Sequence, residues 1–164
     1  MALTLKFYEI NQSNLDLILC YSNSKSDLEF AGQIKKEWKS QGFEGQQKRN
    51  LGIAGYSRSS SFKYSVDKFF IVIFSEDFFK SNGQTILDQH IIHKTPETPL
   101  DTPNYEPGIT VIPIMRMTEE KIDENLRPSF NRWNTIDSCP GPTNIAKLIL
   151  HVYKEFNKGN TVVQ

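Results

Sequence analysis

A chain of 164 residues, 38% hydrophobic and 23% charged, carries enough apolar material for one folded domain and too much for a disordered segment. Its 19 basic and 19 acidic residues cancel, which removes the broad positive field that nucleic-acid binding needs. No run approaches the ~18 apolar residues of a membrane span. The opening MALTLKFYEINQSN also lacks the order of a secretory leader, basic and then apolar. The two cysteines, Cys20 and Cys139, make neither a disulfide framework nor a zinc site. A cytoplasmic chain, or the cytosolic part of a larger receptor or adaptor, is the expectation, with no direct membrane insertion.

Leu15 to Ser22 is a nearly continuous apolar run and predicts a strand buried on both faces. Ser24 or Ser26 can cap the helix that follows. Leu28, Phe30, Ala31, Ile34 and Trp38 recur at helical spacing in it, and Gly42 ends it. A weak strand is expected around Phe43–Lys48. A glycine-flanked and unusually apolar loop comes next, Arg49-Asn50-Leu51-Gly52-Ile53-Ala54-Gly55-Tyr56. Ser57 to Lys68 suggests a short helix.

Phe69 to Phe74 is the second clear buried strand. Ser75 caps a helix with acidic residues in its first turn, and Asn82-Gly83 breaks that helix. Four prolines between His93 and Gly108 predict an extended surface loop. Ile109 to Ile114 reads as a third apolar strand, with Pro113 near a strand end or where pairing stops. Thr118 to Glu124 suggests a short helix, and Trp133 to Ile136 a short edge strand. A final helix opens on Pro142 and shows Ile145, Leu148, Ile149, Val152 and Phe156; the tail frays after Gly159. Strands that alternate with helices imply a doubly wound parallel sheet of about five strands with helices on both faces.

The motifs of common α/β enzymes are missing. No G-x-G-x-x-G follows the first strand, and there is no G-x-x-x-x-G-K-[ST] loop and no G-x-S-x-G elbow. Ser22 and Ser75 stand where a phospho-acceptor receiver needs carboxylates. His90 and His93 are spaced to share a helix face, but a third ligand is not evident, so no metal site is expected. His151 reads as a surface or boundary residue.

The ordered set of pieces resembles a Toll/interleukin-1 receptor (TIR) domain over residues 14–157, with 1–13 as an N-terminal extension and 158–164 as a tail. LDLILCYS, ending in Tyr21-Ser22, looks like the family's first box. Lys48 to Gly55 is similar to its second box, the exposed interaction loop, with Asn50 for the usual Asp and Ala54 for the usual Pro. FFIVIFSEDFFKS and ITVIPI resemble the third and fourth strands, and Phe130 with Trp133 resembles the third box. The resemblance implies a flavodoxin-like strand order.

It also implies a scaffold for innate-immune signal transduction. Such a scaffold works by homotypic or heterotypic assembly with other TIR domains, on receptors or adaptors, as a weak homo-oligomer that needs no cofactor. Leu51, Ile53 and Tyr56 then supply an apolar docking surface. Some members instead cleave NAD through a glutamate in the helix after the third strand. An ungapped alignment puts Leu87 at that position, with Gly83 and Gln84 at the Trp-Cys positions before it. Leucine cannot stabilise a developing cation, as the carboxylates of glycoside hydrolysis do. Under the alternative, an NAD+ nucleosidase, Asp88 is the substitute. It lies about 100° further around the helix and is one methylene shorter than Glu.

Overall fold

The computed structural model describes residues 3–12, 15–48, 67–90, 92–93, 104–105, 109–122, 124–126, 130 and 133–162. In chain order the elements are β1 (Leu5–Gln12), β2 (Leu15–Ser22), α1 (Lys25–Ser40), β3 (Gln46–Lys48), β4 (Asp67–Phe74), α2 (Glu76–Lys80) and α3 (Gly83–His90). Then follow β5 (Ile92–His93), β6 (Asn104–Tyr105), β7 (Ile109–Met115), β8 (Ile136–Asp137) and α4 (Pro142–Val162). The protein has a mixed α/β fold around a six-stranded sheet in the order β3-β1-β2-β4-β7-β8. From β2 to β8 the neighbours are parallel.

The sixth strand is β1, which lies in the residues expected to be an extension. It pairs antiparallel with β2 along its whole length, and with β3 on its other side. Without β1 the remaining order, β3-β2-β4-β7-β8, is the flavodoxin-like one. β3 therefore does not pair with β2.

Alternation along the central strands builds two cores. Leu17, Leu19 and Tyr21 of β2, with Phe69, Ile71 and Ile73 of β4, pack with α1 and α4. Ile18 and Cys20, with Phe70, Val72 and Phe74, pack with Phe78 of α2, Leu87 of α3, and Ile122, Leu126 and Phe130. Strands covered on both faces explain why these runs are apolar throughout rather than alternating. Each such side chain contributes about 1.5–3 kcal/mol when fully buried.

Local signals set the ends of the helices. Ser24 caps α1, its side chain accepting from the Asp27 N–H, and Gly42 follows the helix at φ 89°. Ser75 caps α2 by accepting from the Phe78 N–H. The break between α2 and α3 falls at Asn82, which adopts φ 66°. Trp38 is fully buried, and its indole N–H donates to the Ala146 carbonyl at 3.1 Å, which fastens α1 to α4.

Several expectations shift. On α1, Leu28 is exposed. On α4, Leu148 and Val152 are exposed, and the buried face is Ile145, Ala146, Ile149, Leu150 and Tyr153. The Trp38 indole meets α4 at the Ala146 carbonyl. β4 begins at Asp67, inside the expected helix 57–68, and the rest of that helix lies outside the described residues. In the proline-rich stretch, β6 pairs antiparallel with β5, and the remainder lies outside the described residues.

Two short 3-10 turns, Glu119–Lys121 and Glu124–Leu126, stand in place of one helix. The edge strand is Ile136–Asp137, and α4 continues past Gly159 to Val162. His90 ends α3 whereas His93 belongs to β5, so the two do not share a helix. Both cysteines are free, Cys20 buried and Cys139 exposed. Among the described residues no helix is long and apolar enough to cross a membrane.

Candidate functional site

In open α/β sheets, ligands and partners are received outside the carboxyl ends of the strands, where the chain's connections diverge. Here that point lies between β2 and β4, because the chain leaves β2 toward the β3 edge and leaves β4 toward β7. A cleft of about 400 Å³ opens there, lined by Ser26, Asp27, Ser75, Asp77, Arg116 and Thr118 among others.

Asp27 is its centre. It sits in the first turn of α1, where a negative charge suits the helix dipole, and is only 1% exposed. Its Oδ2 accepts from the Ser22 hydroxyl at 2.6 Å and from the Ser75 hydroxyl at 2.5 Å. Its Oδ1 accepts from Arg116 Nη1 at 2.9 Å. Ser22 ends β2, Ser75 follows β4 and Arg116 follows β7, so one carboxylate ties together the carboxyl ends of three parallel strands. Arg116 Nη1 also donates to the Ser26 carbonyl at 3.3 Å, and the guanidinium lies 4.6 Å from the Phe30 ring centroid.

At the rim Lys121 donates to Glu76 at 2.6 Å; that bond holds the Glu76 carboxyl below its ordinary range and the Lys121 amine above its own. With both oxygens of Asp27 occupied by three donors, its carboxylate acts as a bolt and not as a free base or nucleophile. Among the described residues, no cluster of three or more His, Cys, Asp or Glu is arranged to hold a metal ion.

The sequence-predicted residues fall into four groups. Ser22 belongs to the Asp27 cluster. Phe130 is buried and Trp133 half-buried. Their rings pack on Phe74, at centroid distances of 6.4 and 6.2 Å, as part of the core. Leu87 is 0% exposed in the core beside Phe78. A Cβ on Gly83 would approach the Phe78 ring to 2.3 Å, so the position that the resemblance gives to Trp has no room for a side chain. The backbone of Asp88 lies in α3 next to Leu87, and its side chain lies outside the described residues. The loop Arg49, Asn50, Leu51, Gly52, Ile53, Ala54, Gly55, Tyr56 lies wholly outside them.

Tyr21 lies on the α1 face of β2 and is 1% exposed. Its hydroxyl donates to Gln47 Oε1 and accepts from Lys35 Nζ, both at 2.8 Å. Burial pushes its phenol up from 10.0 to about 12, and does the same to Tyr153. A phenol whose folded pKa is raised contributes stability that is whole below the unfolded value and is lost as pH climbs through the folded one. The unfolding free energy is therefore expected to decline between pH 10.0 and about 12. Urea titrations across that window, read beside the tyrosinate absorbance, check this. Tyr153→Phe should flatten the decline, and ionisation of every tyrosine near the ordinary value with stability unchanged would contradict it.

Sequence reasoning missed Asp27, Arg116, Lys35 and Gln47. The pattern Ser24-x-x-Asp27 does signal a helix start, of the capping-box kind. Comparison with protein-family models, with curated proteins and with solved structures gave no match to this chain.

Proposed function

We propose that this chain is a TIR-type protein–protein interaction module, a cytoplasmic scaffold for innate-immune signalling that acts by assembly with other TIR domains. The observation that carries the reading is the state of the two positions where catalysis would reside. Leu87, at the position of the family's glutamate, is a sealed core side chain. The carboxylate sunk in the cleft, Asp27, has both oxygens bonded. A frame without a free carboxylate at either position favours binding over chemistry.

The order of the motif residues supports the reading further. Tyr21-Ser22 ends β2, Ser75 caps the helix after β4, and ITVIPI forms most of β7. Homotypic contacts through a loop that docks on a different surface of the next copy are head-to-tail, and such contacts propagate. Assembly then raises the local concentration of attached or partner domains.

Sedimentation velocity over a concentration series tests this. The wild-type chain is expected to grow in mass with concentration. Ile53→Asp, which puts a charge on the apolar loop, should stay monomeric with an unchanged circular dichroism spectrum, a weakening of about tenfold or more. Equal association by both proteins would remove the loop from the mechanism.

The second reading is an NAD-cleaving TIR hydrolase. It draws on the cleft at the divergence point and on Asp88, one residue beyond Leu87.

A further inference from the structure

At the amino ends of the parallel strands, away from the Asp27 cleft, a polar row crosses the sheet. Asn11 of β1 pairs with Asp16 of β2, and Asp16 pairs with Lys68 of β4. Glu9 lies two residues before Asn11, on the same face of β1. The row borders the core that holds Phe7, Ile18 and Phe70. Neither the cleft nor the interaction reading uses these four residues.

Their charges do not balance. Lys68 Nζ donates to Asp16 Oδ2 at 2.8 Å, with the two side chains 7% and 15% exposed, and that pair is neutral. Glu9 is only 9% exposed, and among the described residues no ion pair reaches it. A buried carboxylate without a counter-charge is costly, and a neutral amide beside it does not cancel the charge.

The oxygens also converge. The Asn11 amide oxygen faces Glu9 Oε1 at 2.9 Å and Asp16 Oδ1 at 2.8 Å. Three acceptors this close repel one another unless something positive lies between them. Turned over, the amide would donate to both carboxylates and would leave the surplus charge in place. An octahedral oxygen shell with bonds of about 2.0–2.1 Å has edges of about 2.9 Å, which matches this spacing. Asn11 is exposed and Asp16 half-buried, so water and ions can reach the oxygens from that side.

We propose that Glu9, Asn11 and Asp16 form a site for a hard divalent cation of Mg2+ size, with water completing its shell. Two carboxylates and an amide supply the protein oxygens. Lys68 orients Asp16 through its other oxygen, as an outer partner of a metal ligand does. The ion bridges β1 to β2, and the Asp16–Lys68 pair carries the link on to β4. It thereby fastens to the sheet the one strand that the flavodoxin-like order does not include.

The test compares thermal unfolding of the full chain in EDTA, in MgCl2 and in NaCl of equal ionic strength, and counts bound Mn2+ by electron paramagnetic resonance. With a dissociation constant of about 1 mM, Mg2+ at about 10 mM should raise the midpoint by roughly 3–6 °C beyond the NaCl control. Mn2+ should bind once per chain. Glu9→Gln keeps the shape and removes the charge. It should abolish the Mg2+ response and weaken Mn2+ binding about tenfold or more. Asn11→Asp, at an exposed position, should lower the midpoint in EDTA by adding a repelling carboxylate, and should respond to Mg2+ more strongly than wild type.

No Mg2+ response and no bound Mn2+ in the wild-type chain would overturn the proposal and leave the amide turned to donate to both carboxylates. An equal response in Glu9→Gln would overturn it as well, since the ion would then sit elsewhere. Should Glu9→Gln fail to fold, the Asn11→Asp comparison decides alone: a Mg2+ response no greater than that of wild type overturns the site.

Discussion

Leu87→Glu is expected to destabilise the domain by roughly 5 kcal/mol and to release no nicotinamide from NAD. The substitution introduces the side chain that the proposed resemblance to NAD-cleaving TIR domains would place here. Here, however, the position faces the core of Phe70, Phe74 and Phe78, and Leu87 is 0% exposed. Two costs add. The leucine's apolar burial is lost, and a carboxyl group enters an apolar cluster. The carboxyl would take up a proton at neutral pH rather than stay charged there, so it could not stabilise a cation.

Against a typical total stability of about 5–15 kcal/mol, the variant should be largely unfolded or close to it. Urea titration followed by tryptophan fluorescence measures the loss. A stable, folded Leu87→Glu protein that turns over NAD would mean that α3 can rotate its face to the cleft, and the scaffold reading would lose its main support.

Asp27→Ala should cost about 3–5 kcal/mol, the scale for removing one partner from a buried ion pair. Three donors lose their acceptor at once: the Ser22 and Ser75 hydroxyls and Arg116 Nη1. Ser22 is 0% and Ser75 8% exposed, so neither hydroxyl finds ready replacement by water. Arg116 is 26% exposed at its side chain and recovers some hydration, which keeps the expected loss from exceeding this range. Equilibrium unfolding should show a lower urea midpoint at unchanged slope. A loss under about 1 kcal/mol would show that the cluster is no more than a surface-like pair.

The parts of this fold that rest on short-range signals are legible in the sequence. The apolar runs of β2, β4 and β7, the caps Ser24 and Ser75, the Asn82 break and Pro142 at the start of α4 each follow from residues within a few positions. What escaped depends on distant partners. β1 carries Lys6, Glu9 and Asn11 among its apolar residues. Its place in the sheet comes from pairing along β2, which its own pattern does not announce. The indole of Trp38 is bonded to Ala146 of α4, 108 positions away, a meeting that neither segment's own pattern announces.

The site shows the same division. Ser22 and Tyr21 were visible as the end of a strand. The importance of Asp27 arises from Ser75 and Arg116, 48 and 89 positions distant, and no local pattern encodes that meeting. Phe130 and Trp133, singled out by resemblance, turn out to support Phe74 from the core.

The separation between scaffold and enzyme comes down to nicotinamide release from NAD by the purified wild-type chain. The account predicts release no faster than in buffer alone. Sustained turnover, abolished by Asp88→Ala while the fold persists, would contradict it and make this chain a hydrolase.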